Sequence, residues 1–134
     1  MTDKQLMELA VEARKRAYTP YSGFKVGAAL LAKSGKVYLG CNIENAAYTP
    51  TNCAERTAFF KAVSEGEMQF EKIAIVGGKE ELLPLCAPCG VCRQVMAEFC
   101  DGSFVVLLGN SNDFKGYTLK ELLPFSFTKS DLND

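Results

Sequence analysis

Apolar side chains recur at helical spacing near the start of the chain. Leu6, Leu9, Ala10, Ala13 and Ala17 share one face of a helix expected from about Lys4 to Ala17. Thr19-Pro20-Tyr21-Ser22-Gly23 breaks that pattern. Val26 to Ala32 is an apolar run of strand length, Ser34-Gly35 turns the chain, and Lys36 to Cys41 reads as the return strand of a hairpin. After a polar loop with Pro50, a second helix is expected from near Asn52 to about Val63. Glu65-Gly66-Glu67 stops it, and Ile73 to Val76 is a buried strand. A third helix covers Cys89 to Cys100, a strand covers Phe104 to Leu108, and Gly109-Asn110-Ser111-Asn112 turns the chain again. A weak strand near Tyr117 and a short helix over Thr118 to Leu123 precede the tail.

A hairpin followed by helix, strand, helix, strand implies a mixed sheet covered by helices. The strand–helix–strand unit in the second half favours parallel pairing there. No internal repeat, linker or low-complexity stretch interrupts the order, so residues 1–134 are expected to form one α/β domain.

Composition narrows the class. The hydrophobic share of 48% fits an ordinary globular protein, and no apolar run approaches the roughly 20 residues that a membrane span needs. The polar start, Met1-Thr2-Asp3-Lys4-Gln5, does not resemble a secretory signal, so a cytoplasmic location is expected. Net charge is −1, from 15 basic and 16 acidic residues, with no basic stripe. That argues against a nucleic-acid partner and for a small uncharged one.

The chemistry lies in what is missing. No histidine is present, yet there are six cysteines. In a cytoplasmic chain these read as metal ligands or buried apolar thiols before they read as disulfides. Cys41 and Cys100 lie within apolar patterns and are expected to be packing residues. Cys53, Cys89 and Cys92 all fall at expected helix starts, with Pro88 suiting the first turn of the third helix. Cys89 and Cys92 are three apart and so share a helix face. Two converging helix N-termini would stabilise three thiolates by their positive dipole ends. Three protein ligands on Zn²⁺ leave a fourth place for a water, which ionises near neutral pH. Three thiolates also make the metal a weaker Lewis acid. Arg56, three residues after Cys53, is the candidate to withdraw that charge through hydrogen bonds to sulfur. Arg93 either does the same or lies on a solvated helix face.

With no imidazole available, Glu55 beside Cys53 is the candidate proton carrier. Asn52-x-x-Glu55 also matches a helix capping box, in which the glutamate only ties back to the backbone. Cys86-x-x-Cys89 is a second ligand-spaced pair, so Cys86 could close a four-cysteine structural site of an interaction module. A redox dithiol at Cys89 and Cys92 is a further possibility, but it leaves Cys53 and Glu55 without a role.

Cys53-Ala54-Glu55 followed by Pro88-Cys89-Gly90-Val91-Cys92 resembles the zinc deaminase signature. Tyr21 to Leu30, Gly40 to Tyr48, Asn52 to Ala58, Pro88 to Val95 and Glu121 to Phe127 together resemble the short, homotetrameric cytidine deaminases over nearly the whole chain. The resemblance implies a three-layer α/β/α fold with a five-stranded mixed sheet. It implies hydrolysis of cytidine and 2′-deoxycytidine to uridine and 2′-deoxyuridine with release of ammonia, in pyrimidine salvage. It assigns one zinc per subunit to Cys53, Cys89 and Cys92 and the proton shuttle to Glu55. It also places the Ala54 backbone and Phe24 at the base, Asn42 and Glu44 at the ribose hydroxyls, and Tyr48 and Phe127 in the sites of neighbouring subunits. Phe125 stands two residues before Phe127. Taken without the resemblance, Asn42 and Glu44 look like ordinary turn residues. A carboxylate at the sugar would repel a phosphate, so nucleosides are expected in preference to nucleotides. A deaminase of a cytosine-containing antibiotic shares the scaffold, but Tyr21 to Leu30 and Asn42 to Tyr48 favour the nucleoside enzyme.

Overall fold

The computed structural model describes residues 1–133. Helix α1 (Asp3–Arg14) leads into strands β1 (Lys25–Ala32) and β2 (Val37–Cys41), joined at Gly35 with φ of 95°. Helix α2 (Ala54–Ser64), strand β3 (Phe70–Gly78), helix α3 (Gly90–Phe99), strands β4 (Val105–Gly109) and β5 (Phe114–Thr118) and helix α4 (Leu119–Leu122) follow. The sheet order is β2-β1-β3-β4-β5. Among these five strands β3 and β4 pair in parallel, and the other three pairings are antiparallel. The five-stranded mixed sheet expected from the resemblance is therefore present, with its parallel pair in the second half as the element order favoured.

Strand alternation divides the core into two layers. Ala29, Leu31, Ala74, Val76 and Leu107 face α1, where Leu6, Met7 and Ala10 cover them. Ala28, Leu30, Ile73, Ile75, Val106 and Leu108 face the opposite way, under Ala58, Phe59 and Ala62 of α2 and Met96 and Ala97 of α3. Phe59 is fully buried, 5.1 Å edge-on from Phe70 and 6.0 Å from Phe104. Burial of such a ring is worth about 1.5–3 kcal/mol. That layer holds α2 and α3, whose starts carry the cysteines.

Two glycines set how closely the helices approach. A Cβ on Gly27 would lie 2.1 Å from the Ala10 carbonyl oxygen of α1. A Cβ on Gly40 would lie 2.3 Å from the Ala54 carbonyl oxygen and 2.6 Å from the Ala58 nitrogen. Gly40 thus lets the first turn of α2 rest directly on β2, which fixes Cys53, Ala54 and Glu55 against the sheet.

Several boundaries differ from the sequence expectation. Helix α1 ends at Arg14, not Ala17, because the Arg16 and Ala17 N–H groups bond to the carbonyls three residues back. Tyr18 then donates to the Asn42 carbonyl at 3.0 Å, pulling the chain towards β2. Strand β3 is longer than Ile73–Val76, since β1 pairs with it from Lys25 opposite Gly78 to Ala32 opposite Phe70. Pro88 does not enter the first turn of α3; it precedes Cys89, which is the N-cap. Helix α2 starts at Ala54, with Cys53 as its N-cap.

Candidate active site

A residue at an N-cap usually turns its side chain back onto the first backbone N–H groups of the helix. Cys53 and Cys89 hold that position in α2 and α3 with extended backbone, and neither side chain makes such a bond. Their sulfurs point at each other instead, 3.8 Å apart. Cys92, one turn into α3 and fully buried, completes a group whose three sulfurs all lie within 4.8 Å of one another. Cys86 is not in that group. Its sulfur lies 2.5 Å from where a Cβ on Gly77 would stand, so the missing side chain of β3 is the space Cys86 fills. Burial pushes its thiol up to about 11, which suits a packing residue.

The remaining groups divide as charge would dictate. Arg56 donates from Nη2 to the Cys53 sulfur at 3.3 Å, as its spacing suggested. The Cys53 thiol is drawn down to about 5, first by a hydrogen bond from Cys92 and then by Arg56 and Cys89, with burial opposing. Cys92, which donates to Cys53, moves upwards. Arg93 takes neither of the two roles considered for it. It donates to the Pro88 carbonyl at 2.8 Å and to the Leu122 carbonyl at 2.7 Å, bracing the turn before Cys89 against the end of α4.

Glu55 is only 4% exposed. The capping box falls away, because the N-cap is Cys53 and Asn52 instead donates its amide to the Thr57 hydroxyl at 3.1 Å. Burial raises the Glu55 carboxyl to about 7, and the negative charge of Cys53 acts in the same direction. A carboxyl balanced near neutrality can both take and give a proton.

An open cleft of about 440 Å³ is lined by Tyr21, Ser22, Glu44, Asn45, Tyr48 and Thr51. Asn42 donates its amide to the Phe24 carbonyl at 2.8 Å and accepts from the Val26 N–H at 2.9 Å. Glu44 accepts from the N–H groups of Tyr21 (3.0 Å) and Ser22 (3.1 Å) and from the Ser22 hydroxyl. Those bonds, the Ser22 hydroxyl foremost, hold its carboxyl below the usual range. Tyr48 is 74% exposed and has φ of 63°. Phe125 and Phe127 are also exposed, and neither lines this cleft; Phe125, with φ of 54°, borders a separate groove beside Phe99 and Leu119. Sequence reasoning overlooked Ser22 as the partner of Glu44. The only signal was a short hydroxyl residue in the Tyr21-Ser22-Gly23 turn.

Three convergent thiols are a soft donor set suited to zinc, and two helix starts with one arginine balance their charge. Fold and site together define a zinc-binding α/β domain with a buried carboxylate at its metal centre. Comparison with known proteins carries this further. Residues 1–108 match the model of the cytidine and deoxycytidylate deaminase zinc-binding region. The chain is 53% identical to the cytidine deaminase of Sporosarcina psychrophila, over 99% of this chain and 96% of that one. It is 53% identical to the cytidine deaminase of Halalkalibacterium halodurans over the full length of both. A crystal structure of cytidine deaminase from Burkholderia pseudomallei superposes with a TM-score of 0.88 at 48% identity, covering 95% of this chain and 100% of that one. The chain belongs to the zinc-dependent cytidine and deoxycytidylate deaminase family.

Proposed function

We propose that this chain, acting as one domain over residues 1–134, hydrolyses cytidine and 2′-deoxycytidine at C4 of the base, giving uridine or 2′-deoxyuridine and ammonia. The observation that carries the reading is the juxtaposition of Glu55, buried and poised near neutrality, with three thiols at two helix starts. Cys53, Cys89 and Cys92 would hold one zinc ion, and Arg56 would draw charge from the Cys53 sulfur. Bound zinc supplies the Lewis-acid chemistry that makes water a nucleophile near neutral pH. Glu55 removes a proton from the attacking water and delivers it to N3 of the ring. It then carries the second proton to the C4 amine, which leaves as ammonia while C4 keeps the water's oxygen. The Ala54 backbone and Phe24 hold the base, and Asn42 and Glu44 take the ribose hydroxyls.

Glu44 also defines what is excluded. A carboxylate at the sugar accepts hydroxyl hydrogens and repels phosphate, so nucleotides and nucleic acid are poor ligands. In a homotetramer, Tyr48 and Phe127 complete the sites of neighbouring subunits; their exposure of 74% and 60% supports such a role. No helix among the described residues is long and apolar enough to cross a membrane, and pyrimidine salvage in the cytoplasm is the setting that fits this chemistry. The test is ammonia release by purified protein given cytidine or, in parallel, blasticidin S. Cytidine turnover that is lost on zinc removal and restored by added zinc is expected. Turnover of blasticidin S alone would transfer the site to the antibiotic deaminases, and cytidine turnover that survives zinc removal would refute the metal reading.

A further inference from the structure

Ser22 and Glu44 line the same cleft and are joined by a side-chain hydrogen bond. Ser22 lies on the turn after α1, while Glu44 lies 22 positions later, beyond β2. The Ser22 hydroxyl donates to Oε2 of Glu44, and the Ser22 Oγ itself accepts from the Phe24 N–H at 3.0 Å. Oε1 of Glu44 is already taken by the Tyr21 and Ser22 N–H groups. An ionised carboxylate has about four lone-pair positions. Three are filled by this one turn, and a single acceptor position remains, on Oε2. Its direction depends on the Ser22 hydroxyl, whose own rotation is restricted by the bond from Phe24. Gly23 makes the arrangement possible: at φ of 69° it lets the chain double back between Ser22 and Phe24, with its N–H on the Thr19 carbonyl at 3.1 Å.

We propose that Ser22 is a positioning residue for sugar recognition, aiming the one open acceptor of Glu44 at a ribose hydroxyl and fixing its distance from Phe24. The inference rests on the reading of Glu44 as a partner of the sugar. Asn42 supports it from the other side, because its amide is tied to the Phe24 carbonyl and the Val26 N–H. Phe24 is therefore bracketed by both sugar-side residues. The backbone N–H groups of Tyr21 and Ser22 hold Oε1 of Glu44, and the Ser22 hydroxyl is the side-chain link that ties Oε2 to the Phe24 N–H.

The experiment compares competitive inhibition by uridine and by 2′,3′-dideoxyuridine, which differ only in the two ribose hydroxyls. Loss of an aligned bond to a charged acceptor weakens binding by about tenfold or more. In Ser22→Ala the inhibition constant for uridine should rise by about that factor, while that for 2′,3′-dideoxyuridine changes less than about twofold. Ser22→Thr, which keeps the hydroxyl, should restore most of the difference. A merely structural role would weaken both inhibitors equally, and that outcome overturns the proposal. So does a Ser22→Ala protein that binds both as before. Glu44→Ala distinguishes the two levels of failure. If it leaves the ratio of the two constants intact, Glu44 does not bind the sugar and the reading beneath the inference falls. If it collapses the ratio and Ser22→Ala does not, only the positioning role of Ser22 is lost.

Discussion

In the proposed metal site, Cys53, Glu55, Cys89 and Cys92 all lie at or within one turn of a helix start, and the start of α2 is seated directly on the sheet. At the proposed sugar site, Asn42 and Glu44 hang from loop backbone and are held by hydrogen bonds to the turn before β1 and to the start of β1. Cys53, Ala54 and Glu55 lie over Gly40 with no room for a methyl group between helix and strand. Glu44 is tethered to a turn whose residues Tyr21 and Ser22 are exposed. The reacting atoms must be placed within fractions of an ångström, which a packed helix end can do. Recognition of a flexible sugar tolerates more, and loops supply it. Under the proposed function, the chemical step and the choice of substrate are built into different kinds of structure, and should fail separately.

Disturbances on the two sides should therefore have different signatures. Zinc removal sets the upper limit, with all turnover expected to disappear. Asn42→Ala comes next: it should lower kcat/KM for cytidine by roughly 10–100-fold, since a neutral or charge-assisted hydrogen bond and its support are lost. Zinc content, measured by atomic absorption on the same protein, should stay at one per chain. A loss of zinc in that variant would show that the two sides are not separable. Cys86→Ala should have the smallest effect, within about twofold in activity, with zinc retained, because its sulfur lies outside the three-cysteine group and fills the space beside Gly77. Loss of zinc there would instead make Cys86 a ligand and the site a closed structural one.

The same division explains what could be read from the chain. Cys53-Ala54-Glu55 and Cys89-x-x-Cys92 point to a metal site by residue type and spacing, while the sequence alone leaves open a fourth ligand at Cys86 and a capping role for Glu55. Arg56 followed from its position one turn after Cys53. The elements themselves were legible wherever apolar periodicity marked them, as in α1 and β1. Strand β3 was read too short, since Glu71 and Lys72 at one end and Gly77 and Gly78 at the other carry no apolar signal; pairing with β1 draws them in. The role of Arg93 is not legible in the chain, because its partners are the carbonyls of Pro88 and of Leu122, the latter 29 residues away, which no local pattern reveals. Asn42 and Glu44 were visible only through family resemblance. Their bonds to Phe24, Val26, Tyr21 and Ser22 join segments distant in sequence, and polar residues at a strand end otherwise suggest only a turn. Ser22 was hidden for the same reason.

The central claim is that the thiolates hold the metal while Glu55 alone moves the protons. Glu55→Gln tests it most directly, with zinc content and ammonia release from cytidine measured on one sample. Glutamine fills the same buried space but cannot carry a proton. One zinc per chain, with ammonia release reduced by at least about 10²–10⁴-fold, is the predicted result. Near-normal ammonia release from the zinc-loaded variant would contradict the account.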